Sequence, residues 1–156
     1  MARRTWAAGM AGVVLLTALP GCASQTERYC GELEDQKDAL TDLAVRADRP
    51  QSEVLGETLD IWRGLREEAP GDLADEWTTL VFALEGLVEA FEEAGTTPEE
   101  FDPRNLPPGV SAEDARTLEA AASELASQRV TEAGDGVEQH ARDVCGVDLG
   151  LSAQNG

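Results

Sequence analysis

The sequence is poor in basic residues, cysteine and aromatics, and each shortage excludes a class of protein. Its 156 residues hold 12 Lys and Arg against 31 Asp and Glu, a formal net charge of −19. A nucleic-acid partner is excluded, because nucleic-acid binders need a basic face to displace counterions. The chain has only 3 cysteines, too few for a disulfide-dense miniprotein, and it has no run of 18 apolar residues that would make a spanning helix. The length fits one small domain with a single modest core.

The patterns that usually carry catalysis are missing as well. His140 is the single histidine, and Val137 stands three positions before it, so the Glu-x-x-His pattern of di-iron bundles is absent. We expect His140 at the boundary of the core or on the surface. The motifs Gly-x-Ser-x-Gly, Gly-x-Gly-x-x-Gly and the Walker loop do not occur. Aromatics make up only 4% of the chain, too few for a sugar cleft between two carboxylates. We therefore predict no enzyme, no cofactor and no metal site.

The first 22 residues are typical of an export signal. A basic pair at residues 3–4 precedes an uncharged, mostly apolar stretch over residues 6–19, the length of a signal-peptide core. Leu-Pro-Gly-Cys follows at residues 19–22, and this sequence resembles the lipobox of bacterial lipoproteins. The resemblance implies cleavage after Gly21 and attachment of diacylglycerol to the thiol of Cys22. Two acyl chains give a stable membrane anchor.

Alternatives stay open for this segment. An ordinary secretory signal would leave Cys22 unmodified, and an uncleaved segment would itself be the anchor. The Arg-Arg-Thr-Trp sequence at residues 3–6 leaves twin-arginine export open beside general secretion. The predicted organisation is a signal peptide over 1–21, the lipidated cysteine and its tether over 22–26, an acidic helical bundle over 27–146 and a flexible tail over 147–156.

The cysteine count supports export. If Cys22 carries lipid, Cys30 and Cys145 remain as a pair in an oxidising compartment, where a disulfide persists. The two residues open and close the folded region, and a bridge between them would stabilise it by about 4–5 kcal/mol in the chain-entropy model. The alternative is two unrelated buried thiols. One histidine without a free cysteine cannot make a zinc site.

Apolar residues recur at spacings of three, four and seven, which predicts helices, and no strand pattern occurs. The predicted fold is all-α, an up-and-down bundle of four to five helices whose termini are joined by a disulfide. Trp62 and Trp77 lie eight and seven residues from Pro70, so in a helical hairpin they should face the same core layer. The predicted helices cover about 27–47, 52–69 and 72–94, then one from Ser111 and one from Ser127 to Gly146, with Ser52, Asp72, Ser111 and Ser127 as N-caps and Gly95 as a stop.

The cysteine pair limits the topology. Strict alternation of five helices would put Cys145 at the end of the bundle opposite Cys30, too far away to bond. Either residues 111–145 act as one interrupted helix, or the 95–110 loop crosses the bundle. Within that loop, Thr-Pro-Glu-Glu at residues 97–100 predicts a single helical turn.

Several features together resemble the small helical lipoproteins of actinobacteria. They are the lipobox, the short tether, Tyr29-Cys30 at the start of the first helix, Trp77 in Asp75-Glu76-Trp77, the Asp102-Pro103 and Pro107-Pro108-Gly109 loop and the closing 141–145 segment. The resemblance implies no activity, and no functional residue is carried over from it.

From these observations we expect a protein held at the extracytoplasmic side of the cell membrane by lipid on Cys22. Its expected role is structural or interactive and not catalytic, with an envelope protein or polymer as partner. The alternative is a binding module for a small apolar ligand or a divalent cation, in the bundle interior or at the 95–110 loop.

Overall fold

The computed structural model describes residues 24–45 and 48–149, without the side chain of Ala44. Within these residues the regular secondary structure is helical and no strand occurs, which confirms the predicted all-α class. No described helix is both long enough and apolar enough to cross a membrane. The helices are α1 (Gln25–Val45), α2 (Gln51–Glu68), α3 (Ala74–Ala94), α4 (Ala112–Leu125) and α5 (Gln128–His140), followed by a π-helical turn (Ala141–Cys145).

The helices alternate in direction around α3. The start of α1 meets the end of α2, where the Gln25 side-chain amide donates to the Ala69 carbonyl at 2.8 Å. Helix α4 packs along the second half of α3, and α5 packs along its first half. Residues 111–145 therefore act as one interrupted helix antiparallel to α3, and the loop before them does not cross the bundle.

The disulfide joins the two ends of this fold. Cys30 of α1 and Cys145 at the end of the π-helical turn are bonded, with their Cα atoms 5.1 Å apart. The predicted pairing is thus confirmed. We call this end of the bundle, which also holds the end of α2 and the start of α3, the disulfide end.

Four of the predicted helix ends are confirmed. Ser111 makes a full capping box with Asp114, the Ser127 hydroxyl accepts the Val130 N–H, and Gly95 and Gly146 end their helices in the left-handed conformation.

Ser52 and Asp72 are not N-caps. Pro50 and Leu73 occupy these positions, without a side-chain cap hydrogen bond. Proline carries a fixed φ and no N–H, so it starts α2 ahead of the serine. At α3, the Leu73 N–H closes a turn onto the Pro70 carbonyl at 2.9 Å, so the helix begins after that turn.

The predicted boundaries at both ends of the bundle are wrong. Helix α1 begins at Gln25, inside the segment predicted as tether, because the Ser24 hydroxyl accepts the Glu27 N–H. The predicted flexible tail begins too early, since Val147 and Leu149 are buried. The π-helical turn explains this: the Val147 N–H reaches back to the Ala141 carbonyl at 2.8 Å and turns the chain into the core. The rest of the predicted tail lies outside the described residues.

Two further expectations concern the core. Trp62 and Trp77 meet edge to face with ring centroids 6.3 Å apart, which confirms that they share a layer. Val144 continues the four- and three-residue apolar spacing of Val137 and Ala141, which predicts an inward position, but it is 53% exposed. The π-helical turn adds a residue to the helix repeat and rotates Val144 toward solvent.

Candidate functional site

Polar groups enter the core at the disulfide end. The Trp77 indole N–H donates to the Tyr29 hydroxyl oxygen at 3.0 Å, and both side chains are buried. Burial raises the pKa of the Tyr29 phenol above its usual value, against the opposing effect of the indole hydrogen bond. This pair satisfies a buried donor and fixes how the two rings pack, so its function is structural.

His140 lies against the same layer. Its ring meets Tyr29 edge to face at 5.8 Å, and its side chain is only 10% exposed, deeper than a surface position. Its Nδ1 atom is buried and makes no hydrogen bond to any described residue. The nearest carboxylate oxygen on Nε2, from Asp72, is 3.9 Å away, too far for a hydrogen bond. Neither ring nitrogen of His140 therefore makes a hydrogen bond to a side chain in the part of the chain that the structure describes.

Of the predicted site residues, the structure describes the cysteine pair. Cys22 and Gly21 lie outside the described residues, whereas Cys30 and Cys145 are bonded to each other. In the described part of the chain, no group of three or more His, Cys, Asp or Glu side chains is arranged to hold a metal ion.

A pocket opens at the other end of the bundle, which we call the loop end. It has a volume of about 170 Å³ and lies between the start of α2, the end of α3 and the loop that follows. Half of its lining residues are apolar: Leu55 from α2, Val88 and Phe91 from α3, and Pro98 from the loop. The other half are polar: Ser52, Glu92, Thr96 and Thr97. Phe91 is held from behind by Phe101, edge to face at 6.1 Å.

Thr96 is the most deeply buried of the polar residues around this pocket. The residue is 8% exposed, and its hydroxyl oxygen is buried with no hydrogen-bond partner among the described residues. Its position follows from the end of α3. Gly95 takes φ +63°, the Gly95 N–H bonds the Glu92 carbonyl, and the Thr96 N–H bonds the Phe91 carbonyl. This double hydrogen bond is a Schellman motif, which folds the chain back over the last turn and turns Thr96 inward.

Glu99 fastens the loop to α2. Its carboxylate accepts the Ser52 backbone N–H at 2.7 Å and the Ser52 hydroxyl at 3.1 Å. The backbone hydrogen bond from Ser52 is the largest cause that lowers the pKa of Glu99 to about 2. A carboxylate at a helix N-terminus satisfies a free N–H and complements the helix dipole. No residue next to α2 caps its N-terminus with a side chain, so the Glu99 carboxylate takes this role. The same contact ties the loop after α3 to α2.

The mouth of the pocket is acidic. Glu92 lines it, Glu99 is bound at its edge through Ser52, and both carboxylates are exposed. None of the described residues that line the pocket is basic. An anionic ligand would meet repulsion at this opening, whereas a cationic ligand would be attracted.

Sequence reasoning missed the contact between Glu99 and Ser52. The predicted turn over 97–100 is present, with the Phe101 N–H donating to the Thr97 carbonyl at 3.0 Å, but the bond from Glu99 spans 47 positions. Comparisons with protein-family models, curated proteins and solved structures found no match.

Proposed function

We propose that this chain is an extracytoplasmic lipoprotein, anchored to the cell membrane by lipid on Cys22, with a non-catalytic structural or interaction role in the envelope. The observation that carries the proposal is the Cys30–Cys145 disulfide. Such bonds persist in oxidising compartments outside the cytosol. Once this pair is formed, Cys22 is the one cysteine left, and it stands in the lipobox-like sequence.

The order of elements supports an anchor at one end of the bundle. Only three chain steps separate Cys22 from Gln25, where α1 begins, a reach of about 10 Å. The disulfide end therefore lies next to the anchor. Helix α3 has 21 residues, about 30 Å of helix, so the loop end projects away from the lipid toward possible partners.

The surface charge supports an interaction role. Removal of residues 1–21 leaves 10 Lys and Arg against 31 Asp and Glu, a net charge of −21. A domain with this charge is repelled by anionic headgroups and stays soluble on its tether. A partner with a basic surface is the kind that it attracts.

The test compares two cysteine variants in the natural host. Mass spectrometry of the N-terminal peptide should find Cys22 as the first residue, with the mass of a diacylglyceryl group added. Cys22→Ser should abolish this mass, whereas Cys145→Ala, which removes a cysteine elsewhere, should keep it. A native protein with an unmodified Cys22, or with Cys30 and Cys145 reduced in the cytosol, would overturn the proposal.

The interaction role has its own test. Cross-linking on intact cells, followed by gentle solubilisation, should recover an envelope protein or polymer joined to residues of the loop end. Repeated recovery of the lipoprotein alone would refute the interaction role and leave the anchor intact.

A further inference from the structure

We propose that the flank of the bundle along the first half of α3 docks a basic segment of a partner protein. An arginine side chain of that segment enters the groove between α3 and α5, and an apolar side chain beside it packs on Phe82. This surface is separate from the loop end, where the interaction role above is tested, so the inference goes beyond that role. Three features carry it: an exposed aromatic ring, an acidic groove next to the ring, and a glycine that shapes the groove.

Phe82 is the exposed aromatic side chain of α3. It is 68% exposed, whereas the other large apolar side chains of this helix are buried or half-buried. Gly86, one turn later, has no side chain, and no atom beyond the adjoining helix lies within 4 Å of where its Cβ would be. The surface beside the ring is therefore open to a partner. Because single exposed apolar residues are common on soluble proteins, the surroundings of Phe82 decide what the ring can bind.

An acidic groove begins one turn before Phe82. It is open and has a volume of about 200 Å³. Its lining residues come from two helices: Asp75, Glu76 and Thr79 from α3, and Glu132 and Ala133 from α5. Thr79 connects the groove to the ring, because residues three positions apart are neighbours on a helix surface. From Asp75 to Phe82 the combined surface extends over about 10 Å of helix.

The groove holds negative charge without a counter-charge from the fold. Neither its lining residues nor any residue of α3 is Lys or Arg. No salt bridge in the part of the chain that the structure describes includes Asp75, Glu76 or Glu132. Arg129, the one Lys or Arg of α5, is paired with Glu124 instead. A cationic group from outside is therefore attracted to the groove.

Gly136 shapes one wall of the groove. Among the glycines that the structure describes, it is the one where an added Cβ would meet another residue, 3.2 Å from the Cγ atom of Glu76. The missing side chain thus leaves room for the Glu76 stem to lie against the backbone of α5. This contact holds the Glu76 carboxylate over the boundary between the two helices, where it faces the groove.

The spread of the carboxylates favours a guanidinium. The described residues contain no group of three or more acidic side chains arranged around a single metal ion, and the groove carboxylates are distributed over two helices. A guanidinium is planar and carries a fork of N–H donors, so it can bind separate carboxylates at once. An arginine side chain therefore fits the groove better than a compact cation does.

Charge complementarity selects the occupant of the whole surface. A second copy of this chain would bring the same charge, since 10 Lys and Arg against 31 Asp and Glu follow residue 21, and anionic lipids or polymers would be repelled as well. A protein segment with an arginine and an apolar residue two or three positions apart matches the groove and the ring, because an extended chain advances about 3.3 Å per residue.

The experiment uses the full chain as the host makes it, held in nanodiscs of zwitterionic phosphatidylcholine, which does not attract basic peptides. The probe is the blocked peptide Ser-Arg-Ser-Leu-Ser. One control peptide has citrulline for arginine, which removes the charge, and the other has serine for leucine. Methyl NMR shifts of Ala133 in the groove are followed, with Leu118 of α4 as the internal reference. The probe should give a saturable shift at Ala133 alone and bind about fivefold more tightly than either control peptide.

Charge variants separate the groove from the overall charge of the protein. Glu76→Gln/Glu132→Gln should weaken binding of the probe about fivefold, because two ion pairs are lost. Glu100→Gln/Glu119→Gln is the matched control, since it neutralises two exposed carboxylates elsewhere, and it should change the affinity by less than about twofold.

A second pair of variants tests the ring. Phe82→Ala should remove the advantage of the leucine peptide over the serine peptide. Val144→Ala is the matched control, because it shortens another exposed apolar side chain, and it should keep that advantage.

Several results would overturn the proposal. They are no saturable shift at Ala133, equal shifts at Ala133 and Leu118, equal effects of the two glutamate pairs, a citrulline peptide that binds as tightly as the probe, and an unchanged leucine advantage in Phe82→Ala. A shift at Ala133 that grows with protein concentration without peptide would assign the surface to a second copy and overturn the proposed occupant. None of these results bears on the anchor or on cross-linking at the loop end, which have their own tests.

Discussion

The disulfide allows the sharpest prediction about stability. The bond between Cys30 and Cys145 closes the loop formed by residues 31–144. In the chain-entropy model a loop of this length stabilises the fold by about 5 kcal/mol, through restriction of the unfolded chain. A small domain is stable by about 5–15 kcal/mol in total, so the double variant Cys30→Ala/Cys145→Ala should lose a third of its stability or more. The helices should persist, because Val147 and the rest of the core still pack.

Urea unfolding followed by circular dichroism and tryptophan fluorescence measures this change. The oxidised protein should exceed the double variant by about 5 kcal/mol. The reduced wild-type protein should match the variant, and reductant should not affect the variant itself. The slope of free energy against urea should rise when the bond is absent, because an uncrosslinked chain exposes more surface on unfolding. A difference below about 1 kcal/mol would refute the entropic argument of the model.

Three further predictions concern single residues. Tyr29→Phe leaves the Trp77 indole N–H without its acceptor and should lower the free energy of unfolding by about 1–3 kcal/mol in urea; an unchanged value would contradict the buried bond. The pKa of Glu99 is lowered from 4.5 to about 2, so its ionised form stabilises the fold above pH 4.5 and this contribution is lost as pH falls toward 2. Acid titration should show that loss in wild-type protein and in the control Glu100→Gln, but not in Glu99→Gln, and identical titrations of all three would refute it. Gly95→Ala should cost about 1–2 kcal/mol in thermal or urea unfolding because of the backbone angle, since φ is +63° and no atom beyond the adjoining chain lies within 4 Å of the added Cβ; no loss would rule out the left-handed turn.

Short-range interactions explain what the sequence could predict. The capping box of Ser111 and Asp114 joins residues three positions apart. The stop at Gly95 depends on the residue's own φ. The helices follow from apolar spacing within each segment. Each of these signals lies within a few residues of the structure it specifies.

Long-range contacts explain what the sequence could not predict. Glu99 replaces a local cap for α2 from 47 positions away, so Ser52 had the signature of an N-cap without being one. The burial of Val147 depends on the π-helical turn and on the core that it meets. The sequence left open whether the loop crosses the bundle or residues 111–145 form an interrupted helix. The structure decides this through α3, which has buried residues along its whole length and packs against both α4 and α5.

The two ends of the bundle are held by interactions of different strength, and this difference bears on which end opens first. The disulfide end is closed by a covalent bond and by the buried Tyr29–Trp77 hydrogen bond. The loop end is fastened by Glu99 through exposed hydrogen bonds to Ser52, which contribute less than buried ones because water competes for the same groups. Local opening has its lowest free energy where exposed bonds hold a loop. Local opening is therefore expected first in the loop that follows α3, and hydrogen exchange should be faster there than at the disulfide end.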